Sequence, residues 1–243
     1  MPGATSPEPR KRGHFPTTRW SLIVSCRQRP TANSHEALAS LCNAYWYPLY
    51  VYVRRQGKSV EDAQDLTQGF FARLLEKHYI EDFNRERGSF RTFLVAAFRH
   101  YVTNERERER AQKRGGDQPP MTLDLQEAEQ RYRLEPSHNL TPEKLYERRW
   151  ALTLLERSME RLRADSADQS HFDRLRVFLT GEAVISYREL SDQMGMSEGA
   201  LKVAVHRLKR RYGELVREEI GQTVTAPEQI KKELGYLLSA VSL

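Results

Sequence analysis

The segment Ser186–Arg211 reads S-Y-R-E-L-S-D-Q-M-G-M-S-E-G-A-L-K-V-A-V-H-R-L-K-R-R, and it constrains the fold more than any other stretch. Ser186, with Glu189 three residues on, forms a capping box ahead of Leu190 and Met194. Gly195 supplies a turn, and Ser197 caps a longer run. In that run Ala200, Leu201, Ala204, Val205, Leu208 and Tyr212 recur at three and four residues. Two capped helices joined by a tight glycine turn have the spacing of a helix-turn-helix. Once the second helix lays its apolar stripe on the first, its other face must point outward. That face carries Glu198, Lys202, His206, Arg207, Lys209 and Arg210, and between Ser197 and Arg211 five bases stand against one acid. Such a helix can enter a DNA major groove, its first turns reading base edges and its basic end gripping phosphates. An ordinary basic surface helix in a bundle is the plainer reading of the same pattern.

The rest of the chain keeps the helical period and shows no convincing strand, so the expected fold class is all-α. Trp20, Ile23, Val24 and Arg27 begin the first helix. Leu38, Leu41, Cys42, Tyr45, Trp46, Leu49 and Val53 follow behind a Ser34 cap, with Pro48 expected to kink the helix and Gly57 to end it. Ser59 and Asp62 cap a third helix with the stripe Ala63, Leu66, Phe70, Leu74. Gly88-Ser89 precede a fourth, carrying Phe90, Leu94, Ala97, Phe98, Tyr101 and Val102 and running into the tract ERERERAQKR. Glycines and prolines then break the pattern between 115 and 140. Over Gly115–Glu147 seven acids (Asp117, Asp124, Glu127, Glu129, Glu135, Glu143, Glu147) face three bases. Thr141-Pro142 restarts the helices. Leu145, Trp150, Leu154, Leu155, Met159 and Leu162 follow, then Phe172, Leu175, Phe178 and Leu179, ending at Gly181. After Pro227 a weaker amphipathic segment holds Ile230, Leu234, Leu237 and Leu238. The expected organisation is a disordered tail (1–15), a helical domain (16–114), a flexible acidic linker (115–140), a second helical domain (141–221) and a C-terminal extension (222–243).

Composition narrows the function classes. Of 243 residues 39% are hydrophobic and 30% charged, which suits small helical domains with much solvated surface rather than one large core. The net charge of +6 favours a polyanionic partner. No apolar run approaches the ~18 residues of a membrane helix, and no apolar segment follows the basic N-terminus as a secretory signal requires. The two cysteines, Cys26 and Cys42, fall in apolar-periodic stretches and read as buried free thiols. No CxxC or zinc-type His/Cys spacing is present. A cytoplasmic protein without metal, cofactor or membrane contact is expected.

Two further segments carry chemistry. In S-V-E-D-A-Q-D-L-T-Q-G-F-F-A-R-L-L (59–75) the non-apolar face gathers Glu61, Asp62, Asp65 and Gln68. It could bind a metal, act in acid–base catalysis or dock a basic partner, or be a solvated face. In F-R-T-F-L-V-A-A-F-R-H-Y-V-T-N-E-R-E-R-E-R (90–110), Phe93, Phe98, His100 and Tyr101 interleave with arginines. From Arg85 to Arg114 nine bases face four acids. Aromatic platforms with cations suit unstacked single-stranded bases, although Phe90, Phe98 and Tyr101 also lie on the stripe that a core would bury.

In this order the three segments resemble one family over about residues 17–220: the two-domain bacterial RNA polymerase sigma factors of the extracytoplasmic-function (ECF) group, in the sigma-70 superfamily. E-D-A-Q-D-L-T-Q-G-F-F is similar to the region that binds the clamp helices of the polymerase largest subunit, which implies core contacts by Asp62, Asp65, Gln68 and Phe71. G-S-F-R-T-F-L-V-A-A-F-R-H is similar to the stretch that melts and captures the −10 element. It implies roles for Phe90, Arg91 and Phe93 (at a Trp position), then Arg99, His100 and Asn104. The helix-turn-helix is similar to the −35 reader, which implies contacts by Ser197, Glu198, Gly199, Lys202, His206, Arg207 and Arg210. Val203 and Ala204 stand where the family often has Ser-Arg, which would remove one basic contact to −35 DNA. TRWSLI and Y-W-Y-P-L-Y point to a divergent subgroup. The resemblance implies a region 2-like four-helix domain and a region 4-like domain, with the acidic linker suited to the polymerase's basic RNA channel. Core RNA polymerase and promoter DNA are the expected partners. An anti-sigma factor or other regulator, and the role of the extension, stay open. The implied activity is promoter recognition and assisted melting, without catalysis. Two alternatives remain: a helix-turn-helix regulator that does not bind core polymerase, and a metal-dependent nuclease using Asp62 and Asp65.

Overall fold

The computed structural model describes residues 19–20, 31–76, 89–111, 125–135, 140–181 and 185–242, and every regular element among them is an α-helix. The expected tail, Ile23, Val24, Arg27 and Cys26 lie outside the described residues. The long helices are α1 (Ala32–Arg55), α2 (Val60–Glu76), α3 (Phe90–Ala111), α5 (Pro142–Ala164), α9 (Glu198–Gly221) and α10 (Glu228–Val241). Between them come α4 (Leu125–Arg133), α6 (Gln169–Leu175), α7 (Val177–Thr180) and α8 (Tyr187–Met194).

The caps explain most of the boundaries. Thr31, not Ser34, is the N-cap of α1. Its Oγ1 accepts from the Ser34 N–H at 3.2 Å, and Ser34 Oγ accepts from the Thr31 N–H at 2.9 Å. Gly57, at φ +84°, turns the chain out of α1. Pro48 lies inside α1 without ending it. Ser59 Oγ accepts from the Asp62 N–H at 3.0 Å at the start of α2, and Thr141-Pro142 opens α5.

From Tyr47 to Val53 α1 is buried around its whole circumference, while Ala32, Asn33 and Glu36 of its first turns are exposed. Tyr47, Leu49, Tyr50, Val51, Tyr52 and Val53 are all buried, as a helix must be when it runs through a core. Its most extensive partner is α5, and it also packs on α2 and α4. The largest buried cluster joins α1, α2 and α3 to Leu145–Leu154 of α5, Val216 and Ile220 of α9, and Leu237 and Ala240 of α10. A second, small cluster (Leu175, Leu190, Leu201, Val205) forms the helix-turn-helix core. A third (Leu162, Phe172, Leu215) bridges the two.

Three expectations change here. Part of the flexible linker is a docked helix: α4 buries Ala128 and sets Glu129 against Tyr50 and Arg54 of α1, with Glu135 close behind against Tyr47. Phe172 to Leu179 is divided at Arg176 into α6 and α7. In α10 the buried positions are Glu233, Leu237 and Ala240, while Leu238 is 61% exposed. Among the described residues no helix is long and apolar enough to cross a membrane. Cys42 is buried and free, and burial pushes its thiol well above the ordinary value, which makes it unreactive.

Candidate functional site

The helix-turn-helix is built as its sequence dictates. Ser186 Oγ accepts from the Glu189 N–H at 3.2 Å, and the Glu189 carboxylate accepts from the Ser186 N–H at 2.9 Å. The Ser186 N–H and its hydroxyl, which also donates to that carboxylate at 2.7 Å, hold Glu189 below the usual carboxylate range. Gly195 takes the left-handed conformation (φ +62°) that sets α9 against α8. Leu201 and Val205 are buried. Ser197, Glu198, Gly199, Lys202, His206, Arg207 and Arg210 all stand exposed. The structure therefore brings the residues expected to read −35 DNA onto one helix end and one outward surface. Glu198 and Lys202 pair at 2.5 Å, a hydrogen bond that lowers the carboxyl and raises the amine. Val203, at the centre of this face, is 50% exposed.

On α2, Asp62 and Asp65 are exposed beside Glu61, and Gln68 is half-buried. Phe71 is different: it is fully buried, with its ring 5.3 Å from that of Phe70. In this arrangement it serves the core and offers no surface to a partner.

The α3 residues divide in the same way. Arg99, His100 and Asn104 are exposed on one side. Phe90, Arg91 and Phe93 are buried on the other, as about 100° per residue requires of a half-buried helix. Phe90 and Phe93 each lie 5.2 Å from the Trp20 ring, and Phe90 also meets the Tyr45 ring at 5.4 Å, tilted by 57°. Phe98 and Tyr101 are likewise core residues. Phe93, Phe98 and Tyr101 of the expected single-strand platform are thus closed over by protein, while His100 stays exposed.

Arg91 forms a polar centre that sequence reasoning missed. It contacts Glu233 of α10 and Glu147 of α5, between the rings of Trp150 and Tyr236. Burial alone would lower its pKa, but the Glu233 hydrogen bond and charge outweigh it and raise it. The only sequence signal was Glu233 and Tyr236, three residues apart in a segment read as weakly amphipathic.

A second polar set involves the linker acids. Tyr50 Oη donates to Glu129 at 2.7 Å, and Arg54 donates twice to the same carboxylate at 3.1 Å. Tyr47 Oη donates to Glu135 at 3.2 Å, and Arg149 pairs with Glu135 at 2.7 Å. Tyr52 Oη donates to Glu143 at 3.4 Å. Glu129 and Glu135, in the linker expected to face a basic channel, are turned toward α1 and α5.

Among the described residues no group of three or more His, Cys, Asp and Glu side chains is placed to hold a metal ion. A family model described as ECF sigma factor matches residues 36–219, well over half of the chain. Neither the curated proteins nor the solved structures include a match.

Proposed function

The chain belongs to the ECF sigma factor family, a family of non-enzymatic transcription factors, and on that premise we propose how its surfaces divide the work of initiation. The acidic face of α2, with Asp62, Asp65 and Gln68, docks on core RNA polymerase. The exposed start of α9 reads the −35 element: Ser197, Glu198, Gly199 and Lys202 lie near base edges, and His206, Arg207 and Arg210 near phosphates. Arg99, His100 and Asn104 face −10 DNA, joined by Phe90, Arg91 and Phe93 once the hydrophobic core opens, and the same opening lets Phe71 join the polymerase contact of α2.

The observation that carries this reading is the presence, in one chain, of two exposed helix faces of opposite charge. One is acidic on α2 and one basic on α9. A basic protein has no need of an acidic face to hold DNA, so that face fits a different, basic partner. Phosphate contacts alone would give salt-dependent binding without a start site. Specificity needs base-edge contacts, and strand opening, at a few kcal/mol, can be offset by stacking at about 1–3 kcal/mol per captured base.

Competition with a housekeeping sigma factor for bacterial core polymerase tests the assignment. Wild type should displace the competitor, and Asp62→Arg/Asp65→Arg should not. DNA binding without core binding by wild type would instead support a helix-turn-helix regulator.

A further inference from the structure

Arg91 sits in a site that is already filled. Its Nε and Nη2 donate to the two oxygens of the Glu233 carboxylate at 3.2 and 3.4 Å, and Nη1 donates to Glu147 at 3.4 Å. The Trp150 and Tyr236 rings lie 4.8 and 5.0 Å from the guanidinium carbon. Both Arg91 and Glu233 are buried. The α3 end is also sealed through its backbone. The Phe90 N–H donates to the Thr223 carbonyl at 2.8 Å, just ahead of α10, and Tyr146 Oη donates to the Arg91 carbonyl at 3.1 Å.

A buried ion pair is a poor source of stability, because apolar side chains of similar volume do as well or better. The chemistry of the fork suggests a different use. The two parallel donors of a guanidinium fit a carboxylate and a phosphate alike. Arg91 belongs to the −10 segment of the family resemblance, whereas Glu233 lies beyond residue 219, where the family match ends. A cleft lined by Arg91, Lys144, Glu147, Trp150, Tyr236 and Ser239 opens to solvent beside the pair.

We propose that Arg91 is an oxyanion site filled in cis: α10 holds Glu233 in it as a stand-in for phosphate, and a DNA phosphodiester takes the same fork when α10 moves away. This inference rests on the sigma factor reading of α3 above. A site filled in cis lowers the DNA affinity of the free chain in proportion to the fraction of molecules that are closed.

Fluorescence anisotropy of the full chain without polymerase, on a labelled single-stranded DNA of mixed sequence, reads the exchange. Glu233→Gln keeps the shape and removes the charge. Glu228→Gln makes the same charge change at an exposed position of α10 and sets the electrostatic baseline. Glu233→Gln should bind about tenfold tighter than Glu228→Gln, the factor expected when a charge-assisted hydrogen bond in the closed state is weakened. The gain should vanish when Arg91→Gln is added, because the phosphate then loses its fork. Equal affinities, or a gain that survives Arg91→Gln, overturn the proposal. Should Glu233→Gln lose its helical circular dichroism, Tyr236→Ala strips a half-exposed ring from the same guanidinium and is judged against wild type by the same criteria. Core polymerase binding is measured on the same samples. A wild-type chain that does not bind core refutes the sigma reading, while the Glu233/Arg91 pattern decides the oxyanion site separately.

Discussion

Replacing Glu129 by Gln should release α4 from α1 while the rest of the protein stays folded. Glu129 accepts from Arg54 twice and from Tyr50 once, all within 3.1 Å. Gln keeps one carbonyl acceptor, loses the charge and turns an amide N–H₂ toward Arg54. A hydrogen bond to a charged group contributes about 1.5–3 kcal/mol, so the docked state should weaken by about 2 kcal/mol, or roughly 30-fold. The other contacts of α4 are buried Ala128, Tyr132 against Tyr50 and Arg54, Arg131 over the Tyr47 ring, and the exposed Arg131–Glu156 pair, none of which replaces the lost charge. Nine residues are too few for a stable isolated helix, so undocking means unwinding. Amide hydrogen exchange corrected for intrinsic rates reads this directly, with fast exchange across α4 and unchanged protection in α1. The pH dependence adds a second test. Despite its burial, the Arg54 and Tyr50 hydrogen bonds hold Glu129 below the usual carboxylate range. Its contribution is therefore complete above about pH 4.3, the unfolded value, and is lost as pH falls through the lower folded value. Glu135 is opposite: burial raises it in spite of Arg149, so it protonates first and does not release α4. Acid should loosen α4 in wild type below about pH 4.3 and have no such effect in Glu129→Gln. Protection of α4 that is unchanged by the substitution would refute the reasoning.

Other substitutions test other parts of the fold. Thr31→Ala removes the α1 cap and should cost about 1 kcal/mol in urea unfolding; an unchanged midpoint would remove Thr31 from the account. Gly69→Ala would set a Cβ 2.5 Å from Tyr101 Oη. It should cost about 1–3 kcal/mol by overpacking, and adding Tyr101→Phe should recover part of that loss; purely additive effects would rule out the clash. Leu201→Ala empties the centre of the small helix-turn-helix core and should cost about 2–5 kcal/mol. Duplex DNA binding should fall while core polymerase binding is kept, and loss of both would mean that the two surfaces do not act separately.

The helix-turn-helix was legible almost residue by residue, because its caps, glycine and stripe are local signals. The acidic face of α2 and the break at Gly57 were legible for the same reason. α1 was read as one-sided although Tyr47, Tyr50 and Tyr52 are buried too. A stripe shows only that one face is buried, and the unbroken run Y-W-Y-P-L-Y-V-Y-V held the missing signal. The linker acids and Glu233 were harder still. Their partners, Tyr50, Arg54 and Arg91, lie far away in sequence, and a count of charges cannot say where a carboxylate will dock. Phe71, Phe90 and Phe93 show the limit of a motif. The family pattern gives each a partner, while the present packing buries all three.

The burial of α1 has a consequence for how the chain is made. Its main covering helix, α5, begins only at Pro142, and further pieces of the same cluster, Ile220, Leu237 and Ala240, are made later still. A ribosome that has released only the first three helices holds a nascent chain whose central tyrosines and leucines lack the α5 side of their packing. Such exposed apolar surface invites aggregation and chaperone capture. Completion of this core should therefore wait until α5, α9 and α10 have been made, and fragments ending before α5 should be recovered mainly in aggregates or bound to chaperones.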